Sequence, residues 1–238
     1  MSYVDLLAAI CIFGNAVKGV SSLQLARDIG CHPKSAWVLA HKLRQALASE
    51  ADGRTVSGEV EVDGSYVGGS IRPANLKENR IDRRLAQHQT GKRRVVVAFR
   101  ERAGRTVTLV VRNEAEGVAL ANRIAAENTT LIADEASHWD ALSHRFQIQR
   151  INHSEAYSMD GISTNQVESY FARLRRMIRG QHHWVSPQHL HQYAREAAWK
   201  EDHRRLSNGT IANRVLGLAL AHPVSDTWSG RWQRANHV

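Results

Sequence analysis

The spacing of apolar residues along the first fifty positions predicts three helices. Residues 3–17 form an apolar segment with almost no polar face. A second, short helix can begin at a serine cap, Ser21 or Ser22, and end at Gly30, which readily adopts a left-handed conformation. A third helix, from about Ser35 to Ala48, carries apolar residues at intervals of three and four. A short helix, a tight turn and a longer helix are typical of a helix-turn-helix, although a plain helical hairpin has the same pattern.

After a linker at residues 51–53, the apolar period changes to two. This alternation predicts a half-buried strand that begins near Gly58 and ends at Gly68-Gly69. Its polar positions are Glu59, Glu61, Asp63 and Ser65, and they alternate with Val60, Val62 and Gly64. Two further strands, Arg94–Arg100 and Thr106–Val111, are joined by a short connection that contains glycine, as in a hairpin.

The rest of the chain alternates between helical and strand patterns. Residues 70–92 are polar and basic without a convincing period, and they predict a long loop or arm. The later segments are a helix at 115–127, a strand at 129–133, a short helix at 136–142, a strand at 146–151, and helices at 165–178, 187–202 and 210–220. This order predicts an α/β fold, in which a mixed sheet is flanked by helices and preceded by a small all-α region.

Length and composition limit the class of protein. The chain has 238 residues, of which 42% are hydrophobic and 23% charged, so we expect folded globular domains rather than disorder. Its longest apolar run, Leu6 to Phe13, is too short to span a bilayer, and Asp5 without any Lys or Arg before the run is atypical of a signal peptide. Two cysteines, Cys11 and Cys31, are too few for a disulfide framework. We therefore expect a protein of the reducing cytoplasm with no membrane partner.

The charge is unevenly distributed along the chain. Lys and Arg number 32 against 23 acidic residues, which gives a formal net charge of +9. Residues 72–112 hold twelve basic residues against three acidic ones, and residues 173–205 hold eight against three. Each run alone is also typical of a solvated surface, but two separate basic segments favour a polyanionic partner such as nucleic acid.

Two aspartates follow or end predicted strands. Asp63 is expected at the carboxyl end of its strand, where side chains can line a crevice, although it could equally be a solvent-facing carboxylate like Glu59 and Glu61. Asp134 follows the apolar residues 131–133, so it is expected where a central strand emerges. A ligand is the functional interpretation of Asp134, and a helix cap is the alternative.

Glu168 is the third candidate acid, on the helix predicted from Asn165. Arg175 lies two turns later on nearly the same face, so the pair could bind a metal ion and a phosphate, although spaced charges on a helix surface are also ordinary. Three acids from two strands and a helix, in a basic chain, suit phosphoryl chemistry with two Mg²⁺ ions, which prefer carboxylate oxygens.

Five blocks of sequence resemble the ISXO-like insertion-sequence transposases, a bacterial DDE-type group in the RNase H-like, retroviral integrase superfamily. Residues 61–69 resemble that group's VEVDExYIGG segment, with Gly64-Ser65 in place of the usual Glu-Thr. Residues 164–187 are similar to its TNxxESFWSxLKRxIRGxxHxVSP segment. The other matches are residues 91–102 with its next strand, residues 131–136 with its LxTDE segment and residues 151–154 with its VNHS segment.

The resemblance implies an RNase H-like core and a DDE transposase that cleaves DNA at the element's ends and transfers the strands to a target. It implies that two Mg²⁺ or Mn²⁺ ions are bound by Asp63, Asp134 and Glu168. Arg175 stands where the family usually has Lys, a change that keeps the cation but alters its shape. Some relatives use Asn as the third ligand, so Asn165 is an alternative to Glu168. His153 is expected either near the metal ions or as a structural histidine.

The resemblance also predicts the organisation and the partner. Residues 1–50 would be a helix-turn-helix DNA-binding region, residues 56–205 the catalytic domain, and residues 206–238 a C-terminal helix and tail. The partner is double-stranded DNA, from the element's ends and the target, bound in the bacterial nucleoid by at least a dimer, because two ends must be brought together. Phosphate contacts are expected from Lys34, Lys42, Arg83, Arg84, Lys92, Arg93, Arg94, Arg176 and Arg179.

One departure from the family leaves alternatives open. Its members typically carry a zinc ribbon before the helix-turn-helix, whereas this chain starts at the helix-turn-helix and its cysteines and histidines show no zinc-ligand spacing. We therefore expect no zinc and weaker recognition of the element's ends. A truncated or repurposed, non-catalytic DNA-binding protein is the first alternative, and a structure-selective RNase H-like nuclease is the second.

Overall fold

The chain forms two compact units, which are not contiguous in sequence. A computed structural model describes residues 1–69, 74–81, 88, 91–102, 104–134, 137–151 and 163–230. The sheet unit consists of residues 55–172 and 184–194, and the helical unit consists of residues 1–54, 173–183 and the chain from 195 onward. The domain boundaries expected at residues 50, 56 and 205 stay a prediction.

The sheet unit contains a five-stranded mixed sheet in the order β3-β2-β1-β4-β5. Strands β1, β2 and β3 pair antiparallel, whereas β4 and β5 continue the sheet parallel to β1. This sheet with its flanking helices confirms the predicted α/β class and is consistent with an RNase H-like fold. The strands are β1 (Glu59–Val67), β2 (Arg94–Glu101), β3 (Thr106–Val111), β4 (Thr130–Ala133) and β5 (Gln147–Arg150).

Seven α-helices are present among the described residues, close to the predicted positions. None of the helices in the described part of the chain is long and apolar enough to cross a membrane. Short 3-10 turns lie at Lys77–Asn79 and Ser137–Leu142, and a π-helical turn at Ile178–His182 follows α5. The helices are α1 (Tyr3–Asn15), α2 (Ser22–Asp28), α3 (Pro33–Ser49), α4 (Glu114–Ile124), α5 (Asn165–Met177), α6 (Leu190–Asp202) and α7 (Asn208–Ala221).

Strand β1 is the central strand, and it is buried on both faces. Val60 and Val62 are fully buried, as the alternation predicts, but Glu61 is also fully buried and Ser65 is 5% exposed. The prediction of a half-buried strand is therefore wrong for β1. The physical reason is that the first turn of α5 covers the face that carries Glu61, where it forms hydrogen bonds described below.

The opposite face of the sheet packs against α4 to form the main core of the sheet unit. This core includes Val97 and Phe99 of β2 together with Val118 and Ala121 of α4. A close approach of helix and sheet is possible because α4 carries Gly117, whose notional Cβ would lie 2.8 Å from Cγ2 of Val97. The contact places the first turn of α4 over β1.

The helical unit has its own core, which includes a buried ion pair. The four residues between α2 and α3 turn through Gly30 at φ +64°, and Ser21 caps α2, as the sequence pattern predicts. Arg44 of α3 is fully buried, and its Nε lies 2.7 Å from Oε2 of the equally buried Glu196. Lys200 donates hydrogen bonds from Nζ to two backbone carbonyl groups at the end of α1. The DNA-binding role of this unit stays a prediction.

Substitution of Gly117 by Ala should destabilise the fold, although Ala is the better helix former. The added methyl group would overlap the buried, β-branched Val97 at 2.8 Å, and relief of such overpacking costs about 1–3 kcal/mol. Urea unfolding of the purified chain measures the change. The control is Gly217→Ala in α7, where no atom lies within 4 Å of the added Cβ and a gain of about 0.5–1 kcal/mol is expected. Equal effects of the two substitutions would contradict the packing described here.

Candidate active site

The register of two parallel strands brings Asp63 and Asp134 next to each other. The ladder between β1 and β4 runs from Glu59 opposite Thr130 to Val62 opposite Ala133, and the two aspartates are the next residues on each strand. Neighbouring strands lie about 4.8 Å apart, so the two carboxylates emerge side by side. The prediction that Asp63 lies at the carboxyl end of its strand is wrong, because β1 continues to Val67 along β2. Asp63 lies instead where β4 ends.

The Asp63 carboxyl group lies in a partly buried, negatively charged environment. Burial, together with the charges of Asp134, Glu114 and Glu168, raises the pKa of Asp63 to about 6. The N–H of Gly64 donates a 2.6 Å hydrogen bond to Oδ1 of Asp63 and opposes this rise in the pKa. The fold therefore places all three acids singled out in the sequence within electrostatic range of one another.

Glu168 lies in the first turn of α5, and its side chain is exposed. Its backbone N–H donates to the carbonyl oxygen of Thr164 at 3.0 Å, and the Thr164 hydroxyl donates to Oε1 of Glu168 at 3.2 Å. A carboxylate in the first turn also interacts favourably with the positive end of the helix dipole. The helix start thus fixes the position of the third acid.

A carboxylate that the sequence pattern treats as exposed anchors this helix to the sheet. Oε2 of Glu61 accepts hydrogen bonds from the backbone N–H groups of Gln166 at 2.8 Å and Val167 at 3.0 Å. Burial raises the pKa of Glu61, while these two N–H groups and the nearby Arg102 act in the opposite direction. Glu61 and Asp63 share one face of β1, since side chains alternate along a strand. The anchored helix therefore begins over the face that carries Asp63.

Arg102 strengthens the connection between β1 and the start of α5. Its Nε lies 3.5 Å from Oε1 of Glu61, and its Nη1 lies 2.8 Å from Oε2 of Glu59. Its Nη2 donates to the carbonyl oxygen of Ser163 at 3.3 Å, just before α5 begins. One guanidinium group thus links two strand carboxylates to the segment that carries Glu168.

Glu114 is a fourth carboxylate that sequence reasoning missed. It lies in the first turn of α4, and a Cβ placed on Gly64 would be 3.1 Å from its Oε1. Glu114 therefore lies over Gly64, on the face of β1 opposite to Asp63. The absence of a side chain at position 64 was the only sequence signal, and it did not identify the element that fills the space.

The donor chemistry of these acids fits a hard divalent cation. Carboxylate oxygens are the ligands preferred by Mg²⁺. Burial and repulsion from the other acids raise the pKa of Asp63, and a bound cation would offset both effects. Within the described residues, however, no three His, Cys, Asp or Glu side chains are arranged to hold a metal ion. The strand register and the anchored helix place the three acids in one region, but their side chains do not converge on a single point.

The remaining residues predicted to act in catalysis lie in different parts of the structure or outside its described residues. Asn165 is the first residue of α5 and is exposed. Arg175 is exposed in the last turn of the same helix, within the helical unit. His153 lies outside the described residues. The roles assigned to all of them stay predictions.

The predicted DNA contacts are distributed over both units. In the sheet unit, Lys92 is exposed, and the guanidinium group of Arg93 lies 3.8 Å from the centre of the Tyr66 ring. Arg94 donates from Nη1 to the carbonyl oxygens of Gly91 at 2.7 Å and Arg93 at 2.8 Å. Arg83 and Arg84 lie outside the described residues. In the helical unit, the four predicted contacts are all exposed: Lys34, Lys42, Arg176 and Arg179.

Comparison with known proteins identifies one related family. The sequence model of the family described as ISXO2-like transposase domain matches residues 55–202, which is more than half of the chain. Comparisons with curated proteins and with solved structures gave no significant match. The matched region contains all the acids described above.

Substitution of Asp63 by Asn should stabilise the metal-free protein at neutral pH. Between about pH 4 and pH 6 the folded chain keeps a proton on Asp63 that the unfolded chain has lost, so stability falls as pH rises through this window. Asn keeps the acceptor for the Gly64 N–H and carries no charge, so the gain is up to about 3 kcal/mol above pH 7. Thermal unfolding with a chelator from pH 4 to pH 8 measures it. A variant no more stable than the wild type at pH 8 would contradict the raised pKa of Asp63.

Truncation of Glu61 should be far more costly than truncation of Glu59, although both are partners of Arg102 on β1. Glu61→Ala removes a buried acceptor from two backbone N–H groups, which costs about 2–4 kcal/mol. Glu59→Ala removes a half-exposed ion pair worth less than about 1 kcal/mol. Chemical denaturation measures both changes, and hydrogen exchange at Gln166 and Val167 should accelerate only in Glu61→Ala. Similar losses from both variants would argue against the anchor.

Proposed function

The chain belongs to the family of ISXO2-like transposases, and we propose that it is a metal-dependent DDE transposase of an insertion sequence. It would cleave DNA strands at the element's ends and join them to a target. The observation that carries the proposal is the strand register, which sets Asp63 beside Asp134 under the anchored start of the helix that bears Glu168. The transposase family implies DNA as the binding partner, and the net positive charge of +9 agrees with a polyanionic partner.

Asp63, Asp134 and Glu168 would be the metal ligands. Two divalent ions, Mg²⁺ or Mn²⁺, would supply activation of the attacking oxygen and stabilisation of the leaving oxygen in an in-line displacement. The carboxylates would approach the ions from two parallel strands and one helix, and Glu61 keeps the helix in place while they do so.

The reaction would proceed in two displacements at phosphorus. In the first, water attacks a phosphodiester at the element's end, and the bond to the 3′ oxygen breaks to leave a 3′-OH. In the second, this 3′-OH attacks a phosphodiester of the target, and a new strand joint forms as the target's own 3′ oxygen leaves. Arg175 would contact a phosphate. The predicted basic residues would neutralise the DNA backbone, namely Lys34, Lys42, Arg83, Arg84, Lys92, Arg93, Arg94, Arg176 and Arg179.

We further propose that the protein works in the bacterial cytoplasm, on the nucleoid, and as at least a dimer. A single active site handles one strand at a time, whereas transposition requires both ends of an element. Two chains on one DNA complex would meet this requirement.

Replacement of Glu168 by Gln should abolish cleavage and preserve DNA binding. The variant loses one anionic ligand, and the loss of such charge stabilisation lowers the cleavage rate by at least about 100-fold. The assay uses purified chain, Mg²⁺ and duplexes that carry the element's ends. Glu127→Gln is the matched control, since that carboxylate is 86% exposed in the loop before β4 and should change nothing.

Three other results would redirect the assignment. Undiminished cleavage by Glu168→Gln would overturn the proposed ligand set. Binding without any cleavage by the wild-type chain would favour a non-catalytic DNA-binding protein. Equal cleavage of end-bearing and random duplexes would favour a structure-selective nuclease.

A further inference from the structure

The sheet unit contains a basic cleft whose lining includes one exposed aromatic ring. The cleft has a volume of about 690 Å³, and its walls come from the start of β2, the end of β3, the first turn of α4 and residues 184–188. Three cations, Lys92, Arg94 and Arg112, line it together with Trp184 and a single acid, Glu116. All of these residues belong to the sheet unit.

Two cations of the cleft lie opposite each other on neighbouring strands. Val95 of β2 is opposite Val111 of β3, so the register continued by one residue sets Arg94 opposite Arg112. Like charges directly opposite each other on neighbouring strands are destabilising, and a phosphate between them would offset the repulsion. Arg94 is also held in place, since its Nη1 donates to two backbone carbonyl groups.

The acid of the cleft does not cancel this charge. Oε2 of Glu116 accepts a 2.9 Å hydrogen bond from the backbone N–H of Arg112, and Glu116 lies in the first turn of α4. Its carboxylate is held at the helix start, and one acid against three cations leaves the cleft with an excess of positive charge.

Trp184 adds a feature that phosphate binding alone does not require. Its side chain is 62% exposed, whereas the neighbouring Val185 is 6% exposed and holds the segment in the fold. A large ring presented to solvent on a fixed segment, beside cations, is the arrangement that proteins use to stack a nucleobase while neutralising its phosphate. The bases of a duplex are stacked on one another, so only an unpaired base can offer its face.

The position of the cleft relates it to the proposed chemistry. Arg94 is opposite Val67, four residues beyond Asp63 on β1, which is roughly 13 Å along the strand. Val67 and Asp63 lie on the same face of β1, since side chains alternate along a strand. A strand held at the acids would therefore place a nucleotide only a few steps from the cleavage point in reach of the cleft.

We propose that this cleft binds an unpaired nucleotide of the DNA strand next to the cleavage point, with its base stacked on Trp184 and its phosphate between Arg94 and Arg112. The inference rests on the proposed function for its choice of DNA. It adds a subsite for single-stranded DNA that the acids and the basic charge do not themselves require.

Binding experiments with a chelator present test the subsite without any cleavage. Fluorescence anisotropy compares a labelled single-stranded oligonucleotide with a duplex of the same sequence. Trp184→Ala should weaken single-strand binding about tenfold, within the range expected for loss of one stacked base, and leave duplex binding within about twofold. Trp184→Phe should restore most of the affinity, because it keeps an aromatic face.

Two controls separate stacking from charge and from surface exposure. Lys92→Gln combined with Arg112→Gln should weaken both DNA forms and flatten the salt dependence of binding, whereas Trp184→Ala should leave that slope unchanged. Leu220→Ala removes a 78% exposed apolar side chain in α7 and should change neither affinity. Circular dichroism should show that every variant is folded.

A base analogue provides the direct readout. With 2-aminopurine in a single-stranded overhang, wild-type protein should quench the fluorescence by stacking, and Trp184→Ala should not. Unchanged single-strand affinity in Trp184→Ala, or an equal loss for both DNA forms, would overturn the subsite. The proposed function fails on different data, namely undiminished cleavage by Glu168→Gln, so either proposal can fail while the other stands.

Discussion

The buried carboxylate of Glu61 accepts hydrogen bonds from two backbone N–H groups in the first turn of α5, and the geometry of the acidic site depends on this contact. The first N–H groups of any helix have no partner within the helix. Here a side chain from the central strand satisfies two of them, so the helix start cannot shift without leaving a buried carboxyl group and these N–H groups unpaired. Glu168 follows Val167 directly in the same turn, so its position depends on the sheet.

The same region combines rigidity with electrostatic strain. Asp63 has a pKa raised by burial and by three other acids, so the fold without a cation is less stable at neutral pH than an uncharged site would be. Functional sites commonly lower stability in this way, because residues placed for binding are not placed for the stability of the free chain. The anchor at Glu61 and Arg102 keeps the strained carboxylates from moving apart.

The sequence predicted the elements well because their periods were simple. The strand and helix patterns placed β2, β3 and α5 within one residue of their observed bounds, and the order of elements was enough for the α/β class. Asp134 could be singled out because it follows a run of apolar strand residues, and Asp63 because it was expected at the carboxyl end of its strand. Their adjacency depends on the register of β1 and β4, which no local pattern specifies.

The missed residues share a physical explanation. Glu61 alternates with valines just as a solvent-facing residue would, and only a helix packed on that face distinguishes the two cases. In the sequence, Glu114 is an ordinary acid in the first turn of a helix, and only the packing of α4 over β1 brings it close to Gly64. Trp184 lies in a segment without a period, so nothing in the sequence related it to Arg94 or Arg112. Each of these roles arises from a contact between elements that are distant along the chain.

Contacts between distant elements also make the residue allowed at one position depend on the residue at another, as position 64 shows. The resemblance to the ISXO-like group places Glu where this chain has Gly64, and Glu114 lies over the space that a side chain at this position would enter. A Cβ there would be 3.1 to 3.3 Å from the Glu114 side chain, which leaves no room for a longer residue unless Glu114 moves. A second carboxylate near Asp63 can therefore come from the strand or from α4, but not from both in this arrangement. The charge around Asp63 therefore depends on positions 64 and 114 together. A comparison of the strand motif alone would give the wrong number of carboxylates near Asp63.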